Sequence, residues 1–142
     1  MINVSVNHPK IPFKKMFHPL DQEEFRTQLS EVFVEQHYKL GKRKRNAIYL
    51  DLGANVGSTC LYFKDWAKHI YAVEPCKENF EALIENTRQF KNISRHNFAI
   101  APFNKTGTLF ATDPNSVPQT FFPDKEAVAE EQVECITIDR FF

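Results

Sequence analysis

Seven consecutive residues, Asp51-Leu52-Gly53-Ala54-Asn55-Val56-Gly57, carry a carboxylate, an amide and two glycines. The 142-residue chain contains only 4 Gly, so two within five positions mark a backbone that needs special conformations. The apolar run Ala47–Leu52 precedes Gly53, and a helix-compatible stretch begins at Ser58. A turn from strand to helix aims backbone N–H groups at one spot, where the helix N-terminus favours negative charge. A phosphate or a carboxylate suits such a turn. Gly53 would permit the tight turn, and Gly57 close contact between helix and strand. Glu74 lies 21 residues after Gly53, at the end of a second apolar run, Ile70–Glu74. Neighbouring strand ends in a parallel sheet converge on one crevice. A carboxylate there accepts hydrogen bonds from a ribose diol. Each feature alone also fits a structural turn or a surface charge. Together they describe a nucleoside site with an anionic group nearby.

The composition of the loop narrows the nucleoside. A dinucleotide fingerprint reads G-x-G-x-x-G, with its second glycine making room for a pyrophosphate. Here that position is Asn55. Asp51 would repel a pyrophosphate but attract an ammonium group, directly or through water. A ligand that joins an amino-acid zwitterion to adenosine fits better, and S-adenosyl-L-methionine has that form.

These residues need a scaffold. Ala47–Leu52 and Ile70–Glu74 read as strands buried on both faces. Ser58–Lys68 and Lys77–Lys91 read as helices, the second with Phe80, Leu83, Ile84, Thr87 and Phe90 on one face. Ile93–Ile100 supplies a third strand, residues 104–107 a turn, and Thr108–Ala111 and Val133–Ile138 two further strands. Residues 112–130 read as a loop with a short helical piece near 127–131. Strand, glycine loop, helix, strand, helix, strand is the order of a parallel α/β sheet. Upstream, prolines 9, 12 and 19 make residues 1–20 an irregular lead-in. Asp21 with Glu24 forms a capping box for a helix through Phe25, Leu29, Val32, Phe33 and Leu40, ended by Gly41. The domain division is therefore 1–45, a lead-in and helix, and 46–142, the ligand-binding part.

Composition excludes several classes. Lys plus Arg and Asp plus Glu are 18 each, so no basic excess argues for nucleic acid as a partner. The basic run 42–45 fits a solvated helix end. The sequence has no apolar run of membrane-spanning length and no signal-peptide core. Three cysteines, Cys60, Cys76 and Cys135, without a C-x-x-C pair, fit a reducing, cytoplasmic setting and read as small buried hydrophobes. The five histidines show no metal-ligand spacing, so no metal site is expected.

The run Tyr49–Gly57 resembles the first motif of class I S-adenosylmethionine-dependent methyltransferases. Its Asn55 form, with Ala72-Val73-Glu74-Pro75 and Asn79-Phe80-Glu81-Ala82-Leu83, resembles the FkbM methyltransferase family. Phe98-Ala99-Ile100, the 105–109 turn and Ile136-Thr137-Ile138-Asp139 are similar too. The resemblance covers about residues 46–142. It implies a partial Rossmann-like class I methyltransferase fold and S-adenosyl-L-methionine as cofactor. By the same resemblance Asp51, Gly53, Ala54, Asn55 and Gly57 hold the methionine part. Glu74 takes the ribose hydroxyls with Pro75 beside it, and Asn97 and Phe98 lie near adenine.

The family next expects an acidic-motif strand that pairs with the first strand and faces the methyl acceptor. These 142 residues do not contain it. The first strand is therefore expected at a sheet edge, with 108–111 and 133–138 as patches for it, and the chain reads as a truncated or split methyltransferase. No residue is assigned to catalysis, Asp139 being only a candidate. The expected function is O-methylation of a small molecule or glycan, by a homo-oligomer or with a partner chain that completes the sheet. Two alternatives remain: a non-catalytic S-adenosylmethionine-binding remnant, and a nicotinamide-dependent oxidoreductase, against which Asp51 and Asn55 stand.

Overall fold

The computed structural model describes residues 2–5, 15–18, 26–27, 29–35, 38, 46–113, 117–123 and 125–142. Three strands form the central parallel sheet: β3 (Ala47–Leu52), β4 (Ala67–Val73) and β5 (Ile93–His96), in the order β3-β4-β5. Helices α1 (Ser58–Phe63) and α2 (Lys77–Thr87) make the two crossovers. The architecture is thus mixed α/β and Rossmann-like. Tyr49, Ile70, Ala72 and Ile93 share one cluster with Cys60, Leu61, Phe63 and Leu83, so the helices cover one face of the sheet. The opposite face carries Tyr71, which meets the rings of His69, His96, Phe141 and Phe142.

Several expected boundaries shift. α1 ends at Phe63 rather than Lys68, and β4 begins at Ala67. α2 ends at Thr87, where Arg95 closes it: its Nε donates to Thr87 Oγ1 at 2.7 Å, and Nη2 donates to the Thr87 carbonyl. A cation suits the carbonyl end of a helix. Ile84 is exposed, off the buried face. β3 is not buried on both faces. It lies at the sheet edge, and Ile48, Leu50 and Leu52 are 61%, 39% and 50% exposed.

The expected third strand, 93–100, divides. β5 stops at His96, and β6 (Ala99–Ile100) joins a second sheet with β7 (Lys105–Ala111) and β8 (Ala129–Ile136), in the order β6-β8-β7. Gly107 is therefore a strand residue rather than a turn residue. A Cβ there would lie 2.7 Å from Cys135 Sγ and 2.8 Å from Phe121 Cε1. The segment near 127–131 is mostly strand, because Ala129–Glu131 pairs with Leu109–Ala111. Residues 108–111 thus pair with 129–132, and 133–136 with 105–107 and 99–100, so neither segment patches β3. α3 (Ile138–Phe141) follows β8.

Two stretches of the N-terminal lead-in pair with each other, while prolines 9, 12 and 19 lie outside the described residues. β1 (Ile2–Ser5) runs antiparallel to β2 (Lys15–His18). Of the expected 21–40 helix, the described part contains a π-helical turn, Ser30–Val34, closed by Glu35 N–H to the Ser30 carbonyl at 2.9 Å. Leu29, Val32 and Phe33 are buried in the same cluster as Met16 and α1. Asp21, Glu24, Phe25, Leu40, Gly41 and the 42–45 run lie outside the described residues. Among the described residues no helix is long and apolar enough to cross a membrane.

Asn86, buried on α2, ties these parts together. Its Oδ1 accepts the Phe17 N–H at 2.7 Å, and its Nδ2 donates to the Phe17 carbonyl at 2.9 Å and the Val56 carbonyl at 2.8 Å. One side chain thereby joins β2, α2 and the glycine loop. Replacing Asn86 with Leu leaves three backbone groups without this partner. An orphaned buried polar group costs about 1–3 kcal/mol, so urea denaturation of Asn86→Leu should show a loss of about 3 kcal/mol, and an unchanged midpoint would refute the tie.

Candidate functional site

β3 delivers Asp51 to the start of the glycine loop, and the loop folds back on β4. The N–H groups of Gly53 and Ala54 both donate to the Val73 carbonyl, at 2.9 and 3.0 Å. Asn55 N–H donates to Glu74 Oε2 at 2.8 Å. Val56 N–H donates to the Asn55 Oδ1 at 2.7 Å, and Gly57 N–H to the Ala54 carbonyl at 2.8 Å. All five N–H groups from Gly53 to Gly57 are therefore engaged within the protein. The expectation that they converge on an anion is not met.

Three of these five residues have positive φ: Gly53 at 80°, Asn55 at 49° and Gly57 at 92°. Asparagine tolerates this region better than most side chains, which accounts for Asn55 here. Gly57 has a second constraint. A Cβ would sit 2.8 Å from Leu83 Cδ1 and 3.1 Å from Thr87 Cγ2. The close contact is with helix α2, not with a strand as the sequence suggests.

Glu74 is only 6% exposed. Its Oε1 accepts the Cys76 N–H at 3.0 Å, while Oε2 takes Asn55. Burial raises its pKa; the Asn55 and Cys76 N–H groups and the Asn79 side chain pull it down, and nearby Asp51 raises it further. Asp51 is half-buried and also raised, by burial first, with a hydrogen bond from Cys60 offsetting part. The Cys60 Sγ–H donates to Asp51 Oδ2 at 3.2 Å. Burial and Asp51 push the Cys60 thiol well above its ordinary value, so it stays a donor. Asp51 also borders a cavity of about 150 Å³ with Tyr38, Tyr49, Leu50, Thr59, Cys60, Phe63 and Ile70.

Asp51, Gly53, Ala54, Asn55, Gly57, Glu74 and Pro75 thus come together between the ends of β3 and β4. Asn97 joins them through the backbone: its Nδ2 donates to the carbonyls of Glu74 and Pro75, each at 2.9 Å. Phe98 is drawn aside, its ring centroid 5.6 Å from His96 and 5.4 Å from Phe141. Asp139 is exposed in the first turn of α3. Sequence reasoning missed Cys60, whose signal is its place on the helix that the glycine loop starts. It also missed Ser58. That residue is 6% exposed, and its Oγ has no hydrogen-bond partner, an uncommon condition for a buried hydroxyl.

Whether this site suits a zwitterionic adenosine ligand can be read from its groups. An ionised carboxylate offers about four acceptor sites. Glu74 gives one to each of two N–H groups, and Asn79 draws on a third, so room for a hydroxyl remains. Two adjacent carboxylates of raised pKa favour a cation. The orphaned Ser58 hydroxyl can donate to a carboxylate. The groups present fit such a ligand.

No curated protein matches the chain. Among solved structures, PH1948 from Pyrococcus horikoshii, described as an RNA methyltransferase, shares 30% identity over 55% of this chain and 38% of its own, at TM-score 0.42. YcgJ from Bacillus subtilis shares 18% over 59% of this chain and 34% of its own, at TM-score 0.38. Trm5b from Pyrococcus abyssi shares 16% over 61% and 24%, at TM-score 0.40. The chain thus spans about a quarter to two-fifths of the length of these structures, and at such TM-scores they do not bear on its activity. The methyltransferase FkbM domain matches residues 51–142. That match takes in the glycine loop, Glu74, β4, β5 and the β6-β8-β7 sheet, and by it the chain belongs to the FkbM methyltransferase family.

Proposed function

We propose that residues 46–142 bind S-adenosyl-L-methionine as the cofactor part of a methyltransferase acting on an oxygen of a small molecule or glycan. The observation that carries this reading is the buried Glu74 carboxylate, hydrogen-bonded to the glycine loop at Asn55 and placed where two parallel strands end. Glu74 accepts from the ribose hydroxyls. Asp51 attracts the ammonium group, and the field of both carboxylates favours a positively charged ligand. Ser58 donates to the carboxylate. The bound cofactor would supply a methyl group already activated on a sulfonium.

The loop also speaks against the nicotinamide alternative. A pyrophosphate needs backbone N–H donors, and those of residues 53–57 are engaged internally. The oxygen acceptor is the part of the proposal that rests on the family resemblance alone. We place the acceptor side next to the open edge of β3, where a second copy or a partner chain would add a strand. Turnover of any acceptor separates the enzyme from a cofactor-binding remnant.

Calorimetric titration of the 142-residue chain with S-adenosylhomocysteine should give saturable binding, and Glu74→Ala should weaken it by about tenfold or more, the loss of a charge-assisted hydrogen bond. A folded chain that binds NAD instead would overturn the assignment.

The raised Asp51 pKa has a signed consequence. The folded state holds its proton to higher pH than the unfolded chain, whose ordinary value is 3.8. Its contribution to stability is full below that value and falls as pH rises through the folded pKa. Asp51→Asn keeps an acceptor for Cys60 and removes the titration. Its denaturation midpoint should fall less than the wild type's between about pH 4 and pH 7, and parallel pH profiles would contradict this.

A further inference from the structure

We infer that Asn97 is a positioning residue that aims Glu74, acting through the backbone and not by touching the ligand. The inference rests on the cofactor-binding reading above. The β4–β5 ladder ends at the pair Val73 and His96, with one more bond from Glu74 N–H to the His96 carbonyl at 3.0 Å. A longer ladder would next offer the Glu74 carbonyl a backbone N–H from β5. The chain leaves the sheet at Asn97 instead, and the Asn97 amide supplies the donors. Both of its N–H bonds are used, one on the Glu74 carbonyl and one on the Pro75 carbonyl, each at 2.9 Å. Both partners are carbonyls, so the amide nitrogen must face them.

Glu74 is consequently held at five points, one of them the Asn79 side chain on its carboxylate. His96 holds its N–H, Asn97 its carbonyl, and Asn55 and Cys76 its two carboxylate oxygens. A buried carboxylate keeps its aim only while its backbone does. β5 stops at His96, so the Asn97 side chain supplies to the Glu74 carbonyl the donor that the next backbone N–H of the ladder would have given. Without it the turn into α2 loosens, and the Asn55 and Cys76 bonds weaken with it. Oδ1 is the one group of the amide outside this clamp. A direct contact to a ligand would use that oxygen as an acceptor.

Aspartate separates the two roles, because it keeps the acceptor and loses the donors. S-adenosylhomocysteine and S-inosylhomocysteine are titrated into the wild-type 142-residue chain and into Asn97→Ala, Asn97→Asp, Glu74→Gln and Asn97→Ala/Glu74→Gln. Amide exchange at Asn55 and Cys76 is followed without ligand. Asn97→Ala and Asn97→Asp should each weaken both ligands by a similar factor, about tenfold. On the Glu74→Gln background Asn97→Ala should add less than about twofold, since coupled residues are not additive. Both amides should exchange about tenfold faster in Asn97→Ala. Full additivity, wild-type affinity in Asn97→Asp, or altered discrimination between the two bases would overturn the inference. So would unchanged amide exchange. If the folded wild type binds neither ligand, the cofactor reading falls, and the exchange data still decide whether Asn97 holds the turn.

Discussion

A buried carboxylate bridges two backbone turns, and the rest of the site is arranged around it. Glu74 takes the Asn55 N–H on one oxygen and the Cys76 N–H on the other. The first bond closes the glycine loop against β4, and the second sets the start of α2. Burying a charge is costly unless hydrogen bonds compensate it. Here the compensation is supplied by main chain whose geometry depends on residues of unusual φ. Gly53, Asn55 and Gly57 permit the loop to fold back, which lets Gly53 and Ala54 share the Val73 carbonyl. A loop saturated in this way presents side chains and carboxylates, rather than bare N–H groups, to whatever lies above it.

Asn86 extends the same logic to the chain upstream. It pairs with both backbone groups of Phe17 as a neighbouring strand would, and adds the Val56 carbonyl. Met16 and Phe17 pack in the same cluster as α1 and β4. Residues before the family match therefore complete the cover of the glycine loop's underside. Close packing at Gly57 sharpens the constraint, since α2 approaches the loop within the space a methyl group would need.

The central sheet is asymmetric. Its helix-covered face holds the main cluster, while the other face has two characters. Over β4 and β5, Tyr71 and His96 meet Phe141. Over β3, Ile48, Leu50 and Leu52 stay exposed beside an edge that is unpaired among the described residues. An apolar edge of this kind is a template for another strand.

Local sequence determined the parts whose signals are local. Asp51 to Gly57 between an apolar run and a helix, and Glu74 at the end of the next run, were legible as neighbours because strand ends in parallel sheets converge. The two crossover helices were legible from apolar periodicity, whereas the edge position of β3 was expected only from the family resemblance. What tertiary structure alone decided is where each polar group found its partner. The 93–100 run carries no punctuation at Asn97, yet the chain leaves one sheet there and enters another, because β8 offers Ala99 and Ile100 a ladder. Residues 1–20 read as irregular from prolines that lie outside the described residues, whereas the described parts pair as β1 with β2 and Phe17 bonds Asn86 across 69 positions. Cys60 reads as a hydrophobe until Asp51 lies 3.2 Å away. Periodicity reports which face is apolar, whereas hydrogen-bond pairing between distant residues exists only once the chain has closed on itself.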